Sequence, residues 1–146
     1  MRLRSITAVS LAALLAAQPA GAEPVQVEVF SDAFHPVAGI AAAQDPDAWI
    51  TNYDLDAAVR LTRELGAGLP RTLEEAKAFA MARIDAIGVD EVKRRYQEAY
   101  GGLFKAFEYG IRRYPAIVFD QGAAVVYGVA DLSEALRIYR NWKAAQ

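Results

Sequence analysis

Two short apolar runs, Ala116-Ile-Val-Phe119 and Ala124-Val-Val-Tyr127, are separated only by Asp120-Gln-Gly122, and Gly128 breaks the second. This stretch constrains the chain more than any other. Apolar runs of this length bounded by turn residues read as the two strands of a hairpin. Tyr114-Pro115 stands immediately before the first of them. Proline has no amide to donate, so Pro115 belongs at the first position of its strand or on an edge. The chain must therefore build a sheet that receives an antiparallel pair late in the sequence.

Earlier segments supply the rest of that sheet. Val25-Gln-Val-Glu-Val-Phe30 alternates apolar and polar residues and reads as a strand with one buried face. Trp49-Ile-Thr-Asn-Tyr53 reads as a second strand. The intervening stretch is broken by Pro36, Gly39 and Pro46, and its alanine-rich piece at 41–43 has room for a turn of helix at most. Asp54 or Asp56 is positioned to cap a helix bearing Leu55, Val59 and Thr62 on one side, with Leu61 and Leu65 nearby, which Gly66, Gly68 and Pro70 terminate. Thr72-Leu-Glu-Glu75 has the form of a capping box. Leu73, Ala76, Ala80, Ile84 and Ile87 follow at helical spacing up to Gly88. A further helix starts near Asp90 with Val92, Tyr96, Tyr100, Leu103 and Phe107 in step, and Gly101-Gly102 inside it marks a kink or a close packing contact. Asp131-Leu-Ser-Glu134 caps a last helix whose apolar face carries Leu132, Ala135, Tyr139 and Trp142.

The resulting order is strand, strand, helices, hairpin, helix. It predicts an α/β (α+β) mixed sheet with helices on its faces. A thioredoxin-like plan fits, with a short first crossover and an enlarged helical middle. That plan places a cis-proline at the position of Pro115, opposite the loop after the first strand, so a cis Tyr114-Pro115 bond is expected.

The N-terminus carries a different kind of information. Arg2 and Arg4 precede an apolar run from Ile6 to Ala17; Pro19 breaks it and Ala20-Gly-Ala22 follows. These are the three parts of a secretory signal peptide cleaved after Ala22. The run is too short for a transmembrane helix, which needs roughly 20 apolar residues. Residues 1–22 are thus expected to be removed, leaving one periplasmic domain over 23–146 with no stable membrane insertion. An uncleaved signal anchor is the competing reading. Loss of Arg2 and Arg4 takes the formal charge from −2 to −4. An acidic chain offers no basic groove, so nucleic acid is not an expected partner.

Composition removes whole classes of chemistry. The sequence contains no cysteine and one histidine, His35. Thiol exchange needs a thiolate nucleophile, so disulfide reduction and isomerisation are excluded. Thiolate metal sites and sites built from several histidines are excluded as well, and no cofactor or metal is expected. The loop Ser31-Asp-Ala-Phe-His-Pro-Val-Ala38 stands where thioredoxin-like oxidoreductases carry their cysteines. It is a degenerate version of that site. Asp32 and His35 have the residue types of an acid–base pair; a structural or partner-contacting His35 is the stronger reading, because no nucleophile accompanies it. Arg112-Arg113, Lys93-Arg94-Arg95 and Glu74-Glu75 read as solvated charges or helix-end placements rather than catalytic groups.

The chain beyond residue 22 resembles a family of small, exported, thioredoxin-like proteins encoded on bacterial integrating conjugative elements. The resemblance rests on several fragments in shared order. They are Val27-Glu-Val-Phe30 with His35-Pro36, Tyr53-Asp-Leu-Asp56, Glu64-Leu-Gly-Ala-Gly-Leu-Pro70, Ala99-Tyr-Gly-Gly-Leu103, Gly110 with Tyr114-Pro-Ala-Ile-Val118, and Val125-Val-Tyr-Gly128. Arg113 stands where lysine is common in that family, and Tyr114 is bulkier than the aliphatic residue usual there. The resemblance implies a non-enzymatic accessory protein of a mating-pair (type IV secretion) apparatus, whose partners are protein components of that machinery. The expected contact residues are Asp32, Phe34, His35, Pro36, Arg113, Tyr114 and Pro115. Two alternatives stay open: a small periplasmic hydrolase using Asp32 and His35, and a chaperone-like scaffold gripping extended segments.

Overall fold

The computed structural model of the protein describes residues 24–41 and 47–146. The expected signal peptide and its cleavage site, and most of the alanine-rich piece, lie outside the described residues.

The alternating segment near the start forms β1 (Val25–Ser31), and the second forms β2 (Ala48–Asp54). Three helices follow: α1 (Ala57–Gly66), α2 (Leu73–Ile87) and α3 (Val89–Glu108). The hairpin is β3 (Ala116–Phe119) and β4 (Ala124–Tyr127), joined by a 3-10 turn at Asp120–Gly122, and α4 (Leu132–Ala144) completes the chain. The four strands form one mixed sheet in the order β2-β1-β3-β4. β1 runs parallel to β2 and antiparallel to β3, and β3 is antiparallel to β4. The Tyr114-Pro115 bond is cis. This α/β arrangement is compatible with a thioredoxin-like fold, with no helix in the described part of the first crossover and three helices in the middle.

Each face of the sheet has its own core. On one face Val27, Val29, Ile117 and Phe119 pack against Leu132, Ala135, Leu136 and Tyr139 of α4. Asp131 caps that helix as expected, its carboxylate accepting from the Glu134 amide at 2.9 Å. The Tyr139 ring stacks on Phe119 with centroids 4.3 Å apart. On the other face Phe30, Ala116 and Val118 meet Leu55, Ala106 and Ile111. β3 is buried at all four residues, because it is interior in the sheet and covered on both sides. A large apolar side chain buried there contributes about 1.5–3 kcal/mol.

Several sequence expectations need correction. β1 is covered on both faces. Its polar face carries Phe30 into the second core, and Glu28 accepts hydrogen bonds from the hydroxyls of Tyr53 and Tyr109 (3.3 and 2.5 Å). α1 buries Ala58 and Leu61 and leaves Val59 exposed. The box at Thr72 does not close: its hydroxyl donates to the Glu75 carboxylate at 2.7 Å instead of accepting from a backbone amide. α2 buries none of its residues despite its apolar spacing. In α3 the covered face is the small-residue one, Val92, Ala99, Gly102 and Ala106, while Phe104 and Phe107 lie exposed. Gly102 explains the difference. A Cβ placed there would come within 2.8 Å of the Tyr53 Cβ, so α3 approaches β2 closely along its small residues and its aromatics turn outward. Trp142 of α4 is also largely exposed. Among the described residues no helix is long and apolar enough to cross a membrane.

Candidate functional site

Strand polarity assembles the site. β1 and β2 are parallel, so the loops after Ser31 and Asp54 leave the sheet at the same end. β3 is antiparallel to β1, with Ala116 opposite Phe30, so the chain enters β3 through Tyr114-Pro115 at that end too. The fold therefore brings Asp32–Pro36 and Arg113–Pro115 to one edge. Ligands of open α/β sheets favour such carboxyl ends of parallel strands.

The loop after β1 is organised by Asp32. One of its carboxylate oxygens, Oδ1, accepts from the Phe34 amide (2.9 Å), the His35 amide (2.7 Å) and His35 Nδ1 (2.8 Å). Because an ionised carboxylate only accepts, Nδ1 carries the proton and Nε2 points away from the pair. Burial pushes the Asp32 carboxyl up, but the hydrogen bonds from His35 and Phe34 outweigh it and hold the group below its ordinary range. The Asp32–His35 pair expected from sequence thus exists, and it works as a clamp on the loop. One consequence is that Phe34 is turned out, 87% exposed. Pro36 is exposed beside it.

A second aspartate secures the same loop. The Asp56 carboxylate accepts from the Ala33 amide at 2.8 Å, and the Leu55 amide donates to the Ser31 carbonyl at 2.9 Å. Asp56 stands at the N-cap position of α1 but makes no side-chain cap bond there. Asp54 is bound by the Arg60 guanidinium through both oxygens (3.2 and 2.6 Å), and this pairing holds its carboxyl low. Asp32, Pro36, Asp54, Asp56 and Arg60 line a cleft of about 220 Å³. From the sequence, either Asp54 or Asp56 reads as a helix cap. Their presence in the fragment Tyr53-Asp-Leu-Asp56 was the one signal pointing to a further role.

The three residues from the β3 side differ in accessibility. Arg113 is exposed. Tyr114 is half-buried and packs against the core around Phe30 and Leu55. Pro115 is buried, and its carbonyl accepts from the Gly128 amide at 2.9 Å. Pro115 therefore shapes this edge from beneath, while Phe34, His35 and Arg113 reach solvent.

No curated protein and no solved structure matches the chain. One family model does, that described as a protein of unknown function, DUF1525, over residues 24–145. The match runs from the residue before β1 to the residue after α4, and by it the chain belongs to the DUF1525 family.

Proposed function

We propose that the protein is an exported, non-enzymatic accessory component of the mating-pair apparatus of a conjugative element, acting in the periplasm. It binds an extended segment of a partner protein across the edge formed by the Asp32–Pro36 loop and the Arg113–Pro115 turn. The observation that carries this reading is the pairing of an exposed Phe34 with a loop held rigid by Asp32 and Asp56. An apolar side chain presented on a fixed backbone loses little entropy on binding, as interface hot spots require. His35 Nε2 and the Arg113 guanidinium supply polar contacts at either side. The order of fragments from Val27 to Gly128 supports the link to conjugation, and Arg2 to Ala22 supports export. The absence of cysteine removes thiol exchange from a site at this position.

The test uses Phe34→Ala and His35→Ala. Both side chains are outside the cores, so circular dichroism should be unchanged. Conjugation frequency should fall about tenfold or more, since a hot-spot loss of about 2 kcal/mol weakens binding roughly thirtyfold. Wild-type transfer by both variants would remove the reading.

A further inference from the structure

The outward face of α3 holds an aromatic stripe that the described residues leave exposed. Tyr96, Tyr100, Leu103, Phe104 and Phe107 recur at three- and four-residue spacing, which places them on one side of the helix. Phe104 is 71% exposed and Phe107 86%, with Tyr96 at 38% and Leu103 at 36%. Tyr96 and Tyr100 stack on each other, with centroids 5.9 Å apart.

We propose that this face pairs with the same face of a second copy of the chain, the two α3 helices running antiparallel about a two-fold axis at Tyr100. Two observations select a second copy as the occupant. The first is area. At about 200 Å² for a fully exposed large side chain, the stripe offers roughly 500 Å² of apolar surface. Flanking Lys93, Gln97 and Glu108 extend it toward the ~800 Å² per partner of a standard interface.

The second is charge. Lys93 lies one turn before the stripe and Glu108 directly after it, its 63% exposed carboxylate also 3.1 Å from Lys105 of its own helix. Lys93 is 69% exposed and only loosely tied to Asp90, at 3.9 Å. Antiparallel pairing about Tyr100 sets Tyr96 level with Phe104 of the second copy and Lys93 level with its Phe107 and Glu108. Each cation thus meets an aromatic face and a carboxylate, and the symmetry repeats the contact at both ends. Parallel pairing would align Lys93 with Lys93 and Glu108 with Glu108.

Sedimentation velocity on the protein expressed from its full sequence, between about 1 and 200 µM, tests the pairing. A dimer is expected. Phe104→Glu with Phe107→Glu should weaken association at least a hundredfold while leaving circular dichroism unchanged, because both rings are outside the cores. Lys93→Glu should weaken it several-fold, and Lys93→Glu combined with Glu108→Lys should restore it. A monomer throughout the range, a dimer that survives the double phenylalanine change, or a charge swap that fails to restore association would each overturn the proposal.

Discussion

Gly101 and Gly102 are neighbours in α3, yet only one of them tolerates a side chain. A Cβ at Gly101 meets nothing within 4 Å, whereas one at Gly102 collides with Tyr53. Gly101→Ala should stabilise the protein by about 0.5–1 kcal/mol through helix propensity. Gly102→Ala should cost about 1–3 kcal/mol, because backbone or Tyr53 must move to admit the methyl group. Urea unfolding of the two variants measures both, and equal effects would contradict the close approach of α3 to β2. The sequence marked this pair as a kink or a close contact without distinguishing the two positions. That distinction depends on which side of the helix faces β2, and helical spacing alone pointed to the aromatic side. Asp32 was legible as a partner of His35 because the two lie three residues apart. Asp56 was not legible as a partner of Ala33, since that bond exists only once β1 and β2 are paired in parallel.

Elements differ in how they are held. α4 was readable from its cap and from Leu132, Ala135 and Tyr139, with Trp142 at its end the exception, because it packs by the ordinary rule of an apolar stripe on a sheet. The hairpin was readable too, since Asp120 and Gln121 sit at positive φ (45° and 56°) in the tight turn that their sequence announced. Asp120 does more than turn the chain. Its carboxylate accepts from the Gln26 amide, the Tyr139 hydroxyl and the Lys143 ammonium, tying β1 and α4 to the hairpin. Asp120→Asn, which keeps the tolerance for positive φ, should cost about 1–3 kcal/mol at neutral pH through loss of charge-assisted bonds. α2 follows neither pattern. Gly88, at φ 94°, joins it to α3 without a loop, and Arg83 anchors it by donating to the Glu64 and Leu65 carbonyls at the end of α1 (3.2 and 2.7 Å). A helix that buries none of its side chains fully should open locally before the sheet does. Amide hydrogen exchange in α2 should therefore be faster than in β3 or α4, and Arg83→Ala should accelerate it further. Protection in α2 equal to that of β3 would show that the helix is held by something else.

For the molecule as a whole, charge pairing sets the response to acid. The Arg94 and Arg95 guanidiniums hydrogen-bond Glu91 and lower its carboxyl from the ordinary 4.5 to about 2. Asp120 is also held low: burial pushes it up, but Tyr139, Lys143 and the Gln26 amide prevail. Such groups bind fewer protons folded than unfolded, so their stabilisation is complete above their ordinary values and is lost as pH falls toward their folded ones. Urea unfolding should show near-constant stability down to about pH 5 from these groups and a decline between about pH 4.5 and 2. Asp120→Asn should flatten that decline; an unchanged acid limb would mean that the carboxylate is not linked to folding. An insulin-reduction assay should show no turnover above buffer, as a chain without cysteine supplies no thiolate. The order of strands carries a consequence for how the protein comes into being. One of the two interior strands is made from residues 116–119, after both strands on its one side and three helices have been synthesised. A ribosome therefore releases Phe30 and Leu55 long before it releases the strand that buries them, and the earlier elements must wait for it. Folding of the sheet waits for that strand, and a message truncated before Phe119 yields a substrate for proteases rather than a smaller working protein.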